Sequence, residues 1–411
     1  MAAPGEGRRL GAWAATAMVV TNVVGVGIFL TPATMLRTVG SPAAATAIWL
    51  GMGLLSAAGA ICYAELGTRF PRAGGGYVFL REGFGPATAL VHGWISLLVV
   101  DPGLTAALAL GLSQYLLALV EAPASWGPAV AMVTIVSFGA VTLLGIGASA
   151  ALMTWTAAAK LLAVGALVTA TLLRQEPPVL DPDAAAPVAG LPGAGAVAAS
   201  VMAAFFAFGG WWELGRMAGE VAEPRRTMPS ALLGGIALVT SIYVIATLGF
   251  MRVAGGGVPA SDEALVAAMG TSLFGAWGPT ALTAIVVVAV GGSLAATMLG
   301  SPRLYLAMAR DGLFPRSLAR FDPARGTAPW LTLVQVVLSC AYVAAGTFEQ
   351  ILGYFVPAAV FFLGLSAAAV LRLDRPSDPT IFRAPLHPLP ILLFLTLVVG
   401  VLALFVVGRL L

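Results

Sequence analysis

The sequence is short of charge. Only 9% of its 411 residues are Asp, Glu, Lys or Arg, against about 25% in a soluble domain. It has 2 cysteines and 2 histidines. Cys62 and Cys340 fall in separate apolar runs, which excludes a disulfide framework and a thiolate metal site. His92 and His387 are far apart and supply no ligand set, so neither a metal nor a cofactor is expected. An enzyme would need His, Asp and Glu converging at one depth, and a channel would need polar rings on several helices. Neither pattern is present. The net charge of +3 is too small and too scattered to suggest nucleic acid. Lysine is almost absent: Lys160 is the only one in the chain.

Apolar residues are abundant instead. They make up 59% of the chain, and the mean hydropathy is +0.96. Eleven runs are long enough to cross a bilayer: 12–36, 42–63, 86–119, 128–147, 150–173, 196–218, 230–251, 276–300, 329–346, 350–371 and 389–410. The chain therefore reads as an all-α polytopic membrane protein with the lipid bilayer as its main partner. The first run is too long for a signal-peptide core and is read as a retained span. Fifteen of the 21 Lys+Arg fall in segments that are cytoplasmic if the N-terminus is inside, which fixes that orientation. Eleven crossings then put the C-terminus outside. Two external loops are expected, 174–195 and 253–275, the second with a helical stretch from Ser261 to Met269. Leu304–Arg320 alternates apolar and basic residues at helical spacing and is expected to lie on the membrane surface.

Two spans carry internal breaks. In Asn22–Phe29 (N-V-V-G-V-G-I-F), Gly25 and Gly27 interrupt the run and Pro32 follows. In Phe205–Gly215 (F-F-A-F-G-G-W-W-E-L-G), Gly209 and Gly210 do the same. Glycine is a poor helix former, and backbone groups freed in mid-membrane must line a cavity or be buried in protein. Broken helices of this kind mark transporter binding sites; close helix packing is the other reading. Breaks at the first and sixth positions suggest two five-helix halves.

Longer motifs then carry a resemblance. Tyr63–Pro86 (Y-A-E-L-G-T-R-F-P-R-A-G-G-G-Y-V-F-L-R-E-G-F-G-P), G-V-G-I-F, Phe205–Pro229, Arg303–Pro315 (R-L-Y-L-A-M-A-R-D-G-L-F-P) and Phe382–Pro390 (F-R-A-P-L-H-P-L-P) resemble, in order, segments of the amino acid–polyamine–organocation (APC) transporters. The match is to the amino-acid permease and L-type exchanger branch. The resemblance implies a LeuT-type five-plus-five inverted repeat over 12–173 and 196–371, with an extra helix at 389–410. Relatives usually have a twelfth helix, so oligomer contacts are left open. It also implies secondary active amino-acid transport across the plasma membrane by alternating access. Polyamine or organic-cation transport and a transport-inactive sensor or scaffold are the alternatives.

The resemblance also implies a site. Gly25, Val26 and Gly27 would offer N–H groups to the substrate carboxylate. The carbonyls of Val23, Val24, Phe206, Ala207 and Gly209 would take the ammonium. Val26 stands where many relatives have Ser or Thr, so this half would bind through backbone alone. Phe206 matches the aromatic that closes over substrate, and Gly210, Trp211 and Trp212 would shape the side-chain pocket. Lys160 matches the lysine that replaces a sodium ion in sodium-independent relatives, either as a tether to the first helix or as a proton carrier. A charged group at that depth is costly and is a functional candidate without any family argument. Asp101 and Glu213 are candidates for charge selectivity or a proton relay. Their structural readings are a buried arginine partner for Asp101 and an i,i+3 pair of Glu213 with Arg216.

Overall fold

The computed structural model describes residues 10–24, 27–145, 155–156, 158–160, 162–165, 193–254, 262–374, 378 and 381–410. These residues are almost entirely helical, and the extended pairing among them is confined to isolated bridges such as Leu10 with Val221. Among the described residues, seven helices are long and apolar enough to span a bilayer. Three shorter apolar helices stand at the first, sixth and ninth expected positions. The described parts of the fifth expected span are helical. This is the all-α polytopic architecture expected, of the LeuT type, with its first and sixth helices broken.

The first span begins as Ala12–Val23. Val24 leaves the helical region at φ −71°, ψ 82°. Gly25 and Val26 lie outside the described residues. The chain resumes as Gly27–Leu30 and Pro32–Val39. The sixth span is Ala194–Ala207, a turn through Phe208–Trp212, and the short helix Glu213–Arg216. Gly210 sits in that turn at φ +111°, a conformation that strongly favours glycine.

Continuous helices surround these two. The second span, Pro42–Arg69, starts on a Ser41 cap whose hydroxyl accepts from the Ala44 N–H at 3.3 Å. The seventh, Pro224–Ala254, packs along the second and first. The third runs from Pro86 through a single π turn at Ser96–Val100 into Asp101–Leu119. It packs against Gly127–Leu144, Gly278–Gly300 and Pro329–Ala345, the fourth, eighth and ninth spans. Spans one, two and seven thus form one packed group, and three, four, eight and nine another. Phe348–Arg372 and Leu389–Leu410 complete the chain. The last of these is mostly exposed, with Leu392, Val399 and Val406 facing outward, as a lipid-facing helix requires.

Two expectations change. The stretch after residue 300 is not a surface helix. Pro302–Arg310 continues the eighth span inward, and Leu304, Tyr305 and Met308 are buried. Its apolar positions pack on protein, so its amphipathic spacing reflects a helix end with one wet face. The helix expected in the loop after the seventh span is Asp262–Phe274, longer than the expected 261–269. Loop 174–195 lies almost wholly outside the described residues.

The motifs between the spans act as fasteners. Glu65 is 5% exposed, and its carboxylate accepts the Ala384 N–H at 2.7 Å. Phe382 N–H donates to the Thr68 hydroxyl at 3.1 Å. These bonds clip the Phe382–Pro390 motif onto the second span. Asp311 pairs with Arg81 at 2.7 Å and accepts from the Tyr77 hydroxyl at 2.9 Å. Burial and the Asp311 carboxylate push the Tyr77 pKa up, so the phenol stays protonated and keeps donating.

Candidate functional site

The two breaks face each other in space. A Cβ on Gly27 would overlap the Cα and Cβ of Ala207, and one on Gly210 would lie 2.9 Å from the Asn22 carbonyl oxygen. Each break therefore needs a residue without a side chain so that the other backbone can approach. Beside them is a cavity of about 360 Å³. Its wall includes Asn22, Val23 and Gly27 from the first span, and Phe206, Gly209, Gly210 and Trp212 from the sixth. Glu213, Arg216, Asp101 and Ser293 complete its polar wall. The size is within the usual range for a small-molecule site.

Not every expected residue reaches the cavity. Val24 and Ala207 are buried but do not line it. Trp211 is 2% exposed and packs edge-on to Tyr63 at 5.2 Å and to Trp212 at 5.6 Å. Of the two tryptophans, only Trp212 faces the cavity, stacked on Phe205 at 5.8 Å. The Phe206 ring meets Phe348 at 5.6 Å and Phe355 at 6.2 Å, both on the tenth span. That aromatic group closes one side of the cavity.

The free carbonyls at the breaks have partners. The buried Tyr243 hydroxyl of the seventh span lies 2.9 Å from the Val23 oxygen and 2.8 Å from the Ala207 oxygen. It carries one proton, so it serves one carbonyl at a time. The Phe206 carbonyl accepts from the Gly209 N–H at 3.1 Å. The Lys160 ammonium donates to the Thr21 carbonyl at 3.1 Å and to the Ser293 hydroxyl at 2.9 Å. It joins the end of the first half-helix to the fifth and eighth spans and is 1% exposed.

Asp101 and Glu213 meet on one guanidinium. Arg216 is 3.5 Å from Asp101 and 3.3 Å from Glu213. The second Asp101 oxygen accepts from the Tyr305 hydroxyl at 2.6 Å. The π turn before Asp101 adds a residue to the third span and sets the register of this carboxylate. The third, sixth and eighth spans are thus tied by one buried polar cluster in the cavity wall. Among the described residues no His, Cys, Asp and Glu group could hold a metal ion. Cys62 and Cys340 are free thiols.

Sequence reasoning did not single out Tyr243, Ser293 or Tyr305. Tyr243 had a signal, a phenol in the middle of an apolar span. Ser293 follows two glycines in an apolar span and is indistinguishable there from a packing residue.

Two broken helices around a largely apolar cavity, with a lysine of the fifth span bonded to the first, define the class: a transporter with a LeuT-type core. The chain matches the amino acid permease family over residues 10–411. It belongs to that family and is an amino-acid transporter, not an enzyme. It is similar to the large neutral amino acids transporter small subunit 2 of Mus musculus, 28% identical over 402 residues, covering 94% of this chain and 75% of that protein. It is 23% identical over 401 residues to the serine/threonine exchanger SteT of Bacillus subtilis (strain 168), covering 94% and 88%. It is 26% identical over 388 residues to the human cystine/glutamate transporter, covering 90% and 75%. The polyamine and sensor alternatives have no support among these relatives.

Proposed function

We propose that this chain exchanges neutral amino acids across a plasma membrane without sodium, by alternating access. The observation that carries the reading is Lys160. Its ammonium sits between the Thr21 carbonyl and the Ser293 hydroxyl, where it satisfies the end of the broken first helix. A fixed cation there makes a bound sodium ion redundant.

The substrate carboxylate takes the N–H groups of Gly25, Val26 and Gly27, where the half-helix dipole favours an anion. The ammonium takes the Val23 carbonyl, which borders the cavity and is left open when Tyr243 donates to Ala207. Trp212 and Phe206 border an apolar side-chain space, which suits neutral substrates. Residues 12–173 and 196–371 form the two repeats, with 389–410 outside them. Spans one, two, six and seven rock against three, four, eight and nine, and the packing groups described above support that division. The N-terminus is cytoplasmic, on the basic-residue distribution.

The test is counterflow in proteoliposomes. Liposomes loaded with unlabelled L-leucine, L-serine or L-glutamate are given the labelled form outside, with sodium or with choline. Saturable accumulation of leucine or serine, equal in both salts, is expected. Accumulation that requires sodium would contradict the role given to Lys160.

A further inference from the structure

A second cavity of about 210 Å³ adjoins the first, and Leu299 and Arg303 line both. Its wall is built by the inner end of the eighth span, the start of the ninth and the 321–328 loop. Arg303 and Glu220 face each other there at 3.7 Å, a loose pair that is only partly exposed. Arg310 lies on the same wall and has no ion-pair partner among the described residues. Three threonines also contribute. Thr142 and Thr332 spend their protons on the Phe138 and Ala328 carbonyls. Thr327 does not: its hydroxyl is buried without a partner, and the residue is 5% exposed. A buried hydroxyl without a partner calls for a ligand or a water.

We infer that this cavity is a second, transient amino-acid site on the cytoplasmic path of the main cavity, with Arg303 handing the substrate between the two. The inference rests on the exchange reading above. A free amino acid carries both charges that the loose pair lacks at close range. Its carboxylate takes the Arg303 guanidinium, with Arg310 on the same wall adding donors. Its ammonium takes Glu220. Leu306 and Phe321 offer an apolar wall to the side chain. The volume equals about seven water shares of ~30 Å³ each, enough for a small or medium amino acid. Because Arg303 borders both spaces, a carboxylate leaving the half-helix N–H groups meets a guanidinium before it meets bulk water.

The test counts sites and compares faces. Equilibrium binding of labelled L-leucine to the purified full chain should give two sites per chain in the wild type and one in Arg303→Met. Arg310→Met, at a residue that lines only the second cavity, should weaken only the second site. In oriented proteoliposomes, Arg303→Met should raise the KM for leucine about fivefold or more from the cytoplasmic face and clearly less from the external face. Arg303→Lys should restore most of the difference. One site in the wild type overturns the inference, as does an equal KM rise on both faces. If Glu220→Gln reproduces every effect and Arg303→Lys does not rescue, the pair is only a structural clasp. Dependence of these effects on phosphatidylglycerol in the vesicles would make the site a headgroup site and also defeat the inference. Two bound leucines with no counterflow would instead sink the exchange reading and keep the second site.

Discussion

Gly27 of the first span and Ala207 of the sixth lie so close that a Cβ on the glycine would overlap the alanine. This contact joins two broken helices, one near the start of the chain and one near its middle, and brings their open backbone to one place. It makes the glycine a packing requirement, the first of the two readings left open by the sequence; the transport assay below tests the second.

Replacing Gly27 with leucine should abolish counterflow while leaving the protein in the membrane fraction. The added side chain would have to push the sixth helix away, an overpacking cost of about 1–3 kcal/mol or more. Uptake and membrane yield, measured side by side, check this. Normal uptake would show that the breaks need not touch.

Tyr243→Phe removes the one hydroxyl that serves both the Val23 and Ala207 carbonyls. A hydrogen bond of this kind within a membrane protein is worth about 0.6–2 kcal/mol. The melting temperature should fall by a few degrees. The KM for leucine should change more than a distant phenylalanine swap would allow, because the Val23 carbonyl it reaches is the one proposed to meet the ammonium. An unchanged KM would assign Tyr243 to packing alone, against Trp49 and Phe208.

Lys160→Met leaves the Thr21 carbonyl without its cation. Exchange should fall by tenfold or more. The informative measurement is whether sodium then begins to stabilise the variant in a thermal-shift assay, since the vacated place is where a metal cation would fit. No sodium response in either protein, with full exchange retained in the variant, would reject the ion-substitute role.

Arg216 holds two carboxylates in the cavity wall. Arg216→Met should therefore destabilise more than Asp101→Asn, because it strands both Asp101 and Glu213. Breaking a buried ion cluster from one side costs about 3–5 kcal/mol. Combining Asp101→Asn, Glu213→Gln and Arg216→Met in one chain should recover much of that loss, since no charge is then left without a partner. Thermal unfolding of the two single variants and the triple variant ranks them. Equal melting temperatures would mean that the cluster is solvated.

Much of this site could be read along the chain. Gly27, Gly210, the lone lysine and the ordered motifs are local features, and among the described residues each stands at a break, a bond or a contact between spans. The residues with aromatic or charged side chains sorted less well. Trp211 and Trp212 are neighbours in sequence, yet one packs on Tyr63 and the other lines the cavity, because a turn residue's direction depends on what the turn packs against. The amphipathic stretch after residue 300 misled for a similar reason. Helical spacing reports a face but does not say whether lipid headgroups or protein cover it.

The sequence alone determined that the chain crosses a membrane, where it does so, and where two of its helices must break. Those outcomes follow from runs of apolar residues and from glycine's backbone freedom, which act over a few residues. Only the tertiary structure decided that Asp101 and Arg216, 115 residues apart, meet at 3.5 Å, that Tyr243 serves both breaks, and that Arg303 stands between two cavities. Such meetings depend on how long helices cross, and a shift of one residue in a helix turns its side chain by about 100°.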